Sequence, residues 1–165
     1  MELLVNPNGT DTGREWIEVA NAAGHALDLA SVHVADAAND AAVDYGALGG
    51  AAPILPAGGR AVLIQSADAS KNGGVALAVD GAGILGGAFG THVSLNNDAD
   101  TISLCSGPCR AGGVTLDEIT WTDLGPDYDG HALSIDGTGR RCAATAPFGD
   151  AGSFGTPGAA NPTCP

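Results

Sequence analysis

The chain has 165 residues, 19 acidic against 6 basic side chains, a formal net charge of −13, 26 glycines, nine prolines and only 4% aromatics. That charge repels phosphate backbones and anionic membrane surfaces, which excludes nucleic-acid binding and membrane docking and favours divalent cations or basic partners. Because 44% of the residues are apolar and fall into regular short runs, the chain is not disordered, and its length suits one domain with a real core.

In chain order the runs are "ELLV", "EWIEVA", "HALDLA", "SVHVAD", "RAVLIQS", "GVALAVD", "TISLCS", "LDEITW" and "HALSID". Several alternate. Ile17 and Val19 share a face opposite Trp16 and Glu18. Val32 and Val34 flank His33. Ile102 and Leu104 stand opposite Thr101, Ser103 and Cys105. Period two marks half-buried strands. The separators, "NAAGH", "PAGGR", "KNGG", "NNDAD", "SGPC", "RAGG", "LGPD" and "DGTG", are turn chemistry. Short strands with frequent turns predict an antiparallel sandwich or barrel. "ADAANDAAVDYGAL" reads as a loop or small insertion with at most one helical turn. No apolar run approaches the roughly 20 residues of a membrane helix, and Met1–Val5 is too short for a signal peptide. A secreted form would have lost its signal. The Gly/Pro/Ala-rich tail over 143–165 follows a folded part over 1–142 and is expected to be flexible unless tied down.

Four cysteines allow three connectivities. Spacing favours Cys105 with Cys109 and Cys142 with Cys164, the second closing a loop worth on the order of 3 kcal/mol and stapling the tail. A zinc site needs a second close pair, which Cys142 and Cys164 do not form. Disulfides imply an oxidising, extracellular or cell-surface setting.

The order of these runs resembles a lamin tail domain of the bacterial secreted type. The carrying segments are "NPNGTDTGREWIEVAN", "ALDLASVHVAD", "LPAGGRAVLI", "SLNNDADTISLC", "LDEITW", "GHALSID" and "FGTPGAANPTC", which together span nearly the whole chain. The resemblance implies a single all-β domain, an immunoglobulin-like antiparallel β-sandwich. It implies an interaction or adhesion module, or an accessory to a secreted enzyme, with no catalytic residues to carry over. One departure stands out. The second hairpin of such domains carries a Trp where this chain has Val32, so smaller residues are expected to pack the core there.

Three clusters offer hard oxygen ligands of the kind calcium takes: Asn6, Asn8, Asp11 and Glu15; Asn97, Asp98 and Asp100; and Asp123, Asp127 and Asp129. None has EF-hand spacing, and Asn, Asp and Gly are also what tight turns require. The loop over 123–129 is the best metal candidate. With Trp121 and Tyr128 it forms the expected contact site for a protein or cell-surface partner. Calcium-dependent binding of a glycan or protein is the alternative reading. No other cofactor is expected. Gly81-Ala82-Gly83-Ile84-Leu85-Gly86 matches the dinucleotide pattern, but no helix is expected to follow it. His25, His33, His92 and His131 are scattered and no Gly-x-Ser-x-Gly elbow exists, so a small hydrolase is the third reading, one that needs His33 or His131 to meet an acid and a serine. Arg14 is expected to pair with Asp11 or Glu18. Asn8-Gly9-Thr10 is a formal glycosylation acceptor that matters only in a eukaryotic secretory host.

Overall fold

The computed structural model of the chain describes residues 1–48, 53–78 and 84–165. Its strands are β1 (Glu2–Leu4), β2 (Trp16–Ala20), β3 (Leu27–Asp28), β4 (Val32–Ala35), β5 (Asp40–Ala42), β6 (Ile54–Leu55), β7 (Arg60–Ile64), β8 (Leu77–Ala78), β9 (Ile84–Ala88), β10 (Ala99–Ser106), β11 (Val114–Thr122), β12 (Leu133–Ile135) and β13 (Arg141–Ala143). They build a β-sandwich. One sheet runs β13-β12-β1-β2-β7-β9-β8, the other β11-β10-β4-β5, and β3 pairs with β6 separately. The inner faces meet in a core that includes Leu3, Ile17, Val19, Leu63, Val34, Ile102 and Trp121.

The sheet is mixed rather than wholly antiparallel. β9 runs parallel to β7 and to β8. A parallel neighbour needs a crossover, and the described part of the connection from β7 to β9 carries β8. β9 also lies in a glycine-broken stretch whose periodicity does not announce a strand. Gly86 explains the glycine: a Cβ there would run into the Val62 carbonyl. The stretch read as a loop or insertion instead supplies β5 and a 3-10 turn, Gly46–Leu48.

β2 departs from the half-buried expectation. Trp16, Ile17, Glu18 and Val19 are all buried. Ile17 and Val19 face the sandwich core, while Trp16 joins Leu4, Val62, Ile64, Val75, Ala132 and Ala144 in a second cluster on the outer face. The unbroken apolar run of β7, Ala61 to Ile64, has the same cause, since a strand covered on both faces has no polar side to show.

The cover is the tail. Phe148 stands edge-on to Trp16 with ring centroids 5.6 Å apart. Gly155 passes so close that a Cβ would sit 3.0 Å from the Trp16 ring and 3.1 Å from Phe148. Glu2 and Glu18 are paired across β1 and β2, and both are fully buried. Glu2 accepts the Thr156 N–H at 2.8 Å and Glu18 the Gly158 N–H at 2.8 Å. Asn161 Nδ2 donates to the carbonyls of Met1 (2.7 Å) and Ile135 (3.0 Å). The segment over 143–165 is therefore a packed strap, held by a second core and by buried carboxylates as well as by its disulfide.

Both disulfides form as spaced, Cys105–Cys109 and Cys142–Cys164. Cys105 is buried, as Ile102 is. A bulge after Leu104 leaves Leu116 of β11 unpaired. Val32 is buried in the main core among residues such as Leu29, Val34 and Leu55, and it also lines a cavity of about 410 Å³.

Candidate functional site

The connection from β1 to β2 and the turns that lead into β10 and β12 gather at one end of the sandwich, and the three oxygen-rich clusters meet there. Asn6 Nδ2 donates to Asp129 Oδ1. Asn97 Nδ2 donates to Asn6 Oδ1 and to Asp11 Oδ2, each at 3.3 Å. The backbone ties the same turns together, with Gly130 N–H on Asn6 O at 2.8 Å and Asp123 N–H on Asp98 O at 2.6 Å. Each cluster thus lends a member to one acidic surface. Other members are spent locally. Asp100 accepts from the Asn96 backbone (3.1 Å) and side chain (2.8 Å) and from the Thr101 N–H (2.8 Å), closing its own turn. Asn8 holds the Ala151 carbonyl at 2.8 Å.

Asp123, Asp127 and Asp129 do not act as one group. Asp123 lines a shallow pocket of about 290 Å³ with Trp121, Tyr128 and Arg141, whereas Asp129 turns to Asn6 and Asp127 lines neither. Among the described residues, no group of three or more His, Cys, Asp or Glu side chains is arranged to hold a metal ion. Trp121 is not an exposed contact residue. It is 3% exposed, packs in the main core, and donates its indole N–H to Asn96 O at 2.9 Å. Tyr128 is half-buried beside it.

Next to this surface opens a polar pocket of about 360 Å³ lined by Asp11, Thr12, Gln65, Ser94, Asn97 and Asp98, among others. Glu15 forms part of its wall and is 2% exposed. Burial pushes its carboxyl up to about 8. The Leu95 N–H opposes that shift, Asp11 adds to it, and the Gln65 amide opposes it. The Glu15 carboxyl is therefore protonated at neutral pH. Gln65 accepts the Gly13 N–H at 2.7 Å and donates to the Glu15 carboxyl and to Val93 O (3.0 Å), which locks the turn before β2 to the loop after β9. No family model, curated protein or solved structure matches this chain.

The remaining residues singled out above fall into place separately. His33 Nδ1 lies 2.8 Å from Asp40 Oδ1. His131 Nδ1 lies 2.6 Å from Ala144 O, its ring stacked on Phe154. His25 and His92 are exposed. Among the described residues no serine hydroxyl hydrogen-bonds to any of the four. Gly81, Ala82 and Gly83 lie outside the described residues, and Gly86 sits inside β9 rather than opening a helix. Arg14 pairs with neither Asp11 nor Glu18. It donates to Asn8 O at 2.8 Å and lies 3.5 Å from Asp150, while Glu18 takes Arg60 at 2.6 Å. Sequence reasoning grouped Glu15 with the calcium ligands and missed Gln65. Its burial depends on a loop some eighty residues away in sequence, which no local pattern reports.

Proposed function

We propose that this domain is a non-enzymatic extracellular interaction module, of the kind its resemblance to lamin tail domains implies, serving adhesion or acting as an accessory to a secreted enzyme. The observation that carries this reading is the convergence of three turns into one acidic surface on a sandwich pinned by two disulfides. Loops on a rigid frame are where contacts are made. A surface of Asp11, Asp98 and Asp129 on a chain of net charge −13 selects a basic partner. Two disulfides fit an oxidising environment.

The test is surface plasmon resonance with a lysine-rich peptide over the immobilised domain at several salt concentrations. Asp11→Asn/Asp98→Asn/Asp129→Asn is expected to weaken binding by about tenfold or more. Asp28→Asn/Asp117→Asn/Glu118→Gln, which removes equal charge elsewhere, is expected to change it far less. Equal losses from both variants would show a diffuse charge effect and no site.

The same convergence of Asn and Asp oxygens supports a second reading, calcium-dependent binding of a glycan or protein. Thermal unfolding with excess calcium and then with chelator separates the two. A ligand bound only by the native state at 100 times its dissociation constant adds about 2.7 kcal/mol, a shift of several degrees. The first reading expects no such shift.

A further inference from the structure

At the end of the sandwich away from the acidic surface, the two sheets part around the 410 Å³ cavity beside Val32. Its walls include Val19, Leu29, Leu55, Leu63 and Leu104, and among the described residues no aromatic ring lines it. The polar groups on its rim are few. Asn21 is spent internally, its Nδ2 on the carbonyls of His25 (2.9 Å), Leu55 (3.0 Å) and Pro56 (3.0 Å) and its Oδ1 on the Ala23 N–H (2.9 Å). Asp117 is exposed at the mouth and uses one carboxylate oxygen on the Glu118 N–H at 2.9 Å. Its other oxygen accepts no hydrogen bond among the described residues. Leu116, left unpaired by the bulge and 51% exposed, forms part of the lip.

These features narrow the ligand. Sugars and nucleobases need stacking platforms and free hydrogen-bonding groups, which this wall lacks. A cavity of a few hundred cubic ångströms walled by Leu and Val accepts hydrocarbon. The charge at the mouth selects the head. Asp117 and the net charge of −13 repel a carboxylate or phosphate and attract a cation. We infer that the cavity between the sheets is a binding site for an aliphatic chain bearing a cationic head, an alkylammonium amphiphile, with the chain against Val32 and the head at Asp117. The inference stands apart from the interaction reading, because the acidic surface and the cavity share no residue.

The test is isothermal titration calorimetry of the oxidised full chain with decyltrimethylammonium, decanol and decanoate, each kept below its aggregation concentration. Saturable binding of the cation is expected, at least about tenfold tighter than decanoate. Val32→Trp, which fills the cavity, is expected to abolish binding and raise Tm. Asp117→Lys, at an exposed position, is expected to reverse the head preference. Absence of saturation with all three probes, undiminished affinity in Val32→Trp, or equal affinity for all three heads would overturn the proposal. Should Val32→Trp fail to fold, methyl resonances of the wild type decide. Shifts with decyltrimethylammonium at Leu29 and Leu55 support the site, and shifts confined to Leu4 and Ile64 overturn it.

Discussion

Glu15 ties its acid–base state to the fold. Its carboxyl is protonated in the native state up to about pH 8 and ionises near 4.5 once exposed. Between those values the native state holds the extra proton, so its contribution to stability is full below pH 4.5 and is lost as pH rises through 8. Glu2 and Glu18 shift upward as well, both chiefly through burial. Urea unfolding from pH 5 to pH 8 is expected to show falling stability, and Glu15→Gln, which keeps a neutral polar group there, is expected to flatten part of the fall. At Trp16 two effects compete. The side chain is fully buried, yet its Nε1 has no partner among the described residues. Trp16→Ala is expected to cost about 3–5 kcal/mol. Trp16→Phe removes the unpaired donor and is expected to cost less than half of that, as read from chemical denaturation. The Glu-Trp-Ile-Glu string was legible as a strand, but nothing in it signals that its glutamates and its Trp are covered. That information lies in Thr156, Gly158 and Phe148, more than 120 residues away.

The tail is the element that sequence reading most undervalued. Its glycines and prolines read as flexibility held only by the disulfide to Cys164, yet Gly155 is packed so closely that a Cβ would press on the Trp16 and Phe148 rings. Gly155→Ala is expected to destabilise by about 1–3 kcal/mol, since Trp16 and Phe148 must both shift. The disulfide is one tether among several. Asp136 accepts the Cys164 N–H at 3.0 Å, and Arg140 reaches the Cys164 carbonyl at 3.3 Å. Cys142→Ser/Cys164→Ser is expected to lose about 3 kcal/mol of chain-entropy stabilisation while leaving Phe148 on Trp16, which tryptophan fluorescence can report. Strands with clear alternation or unbroken apolar runs, such as β7, β10 and β12, were legible. β6, of two residues, and the glycine-rich β9 were not, because their pairing is set by neighbours rather than by local pattern.

For the molecule as a whole, length, period-two runs between turns and cysteine spacing were enough to expect a single all-β domain with two disulfides. The meeting of three separate turns at one end, and the opening between the sheets at the other, are products of topology that composition does not carry. Self-repulsion follows directly from the charge. With 19 acidic and 6 basic side chains, the compact state crowds like charge together. Raising sodium chloride from about 0.01 to 0.15 M, which shortens the screening length from about 30 to 8 Å, is expected to raise Tm. A flat response in calorimetry would mean that the acidic turns are already compensated within the fold.

The strap also imposes an order of events on synthesis. β1, made before the strands it pairs with, lies between β2 and β12, and its partner residues Leu133 and Ser134 follow about 130 residues later. Trp16 waits longer still, for Phe148 and Gly155. Pairings this distant along the chain make folding slow. A growing chain that has not yet made Phe148 and Gly155 lacks the cover of Trp16 on the outer face of its larger sheet, so the strap is the segment that commits the domain to its native form.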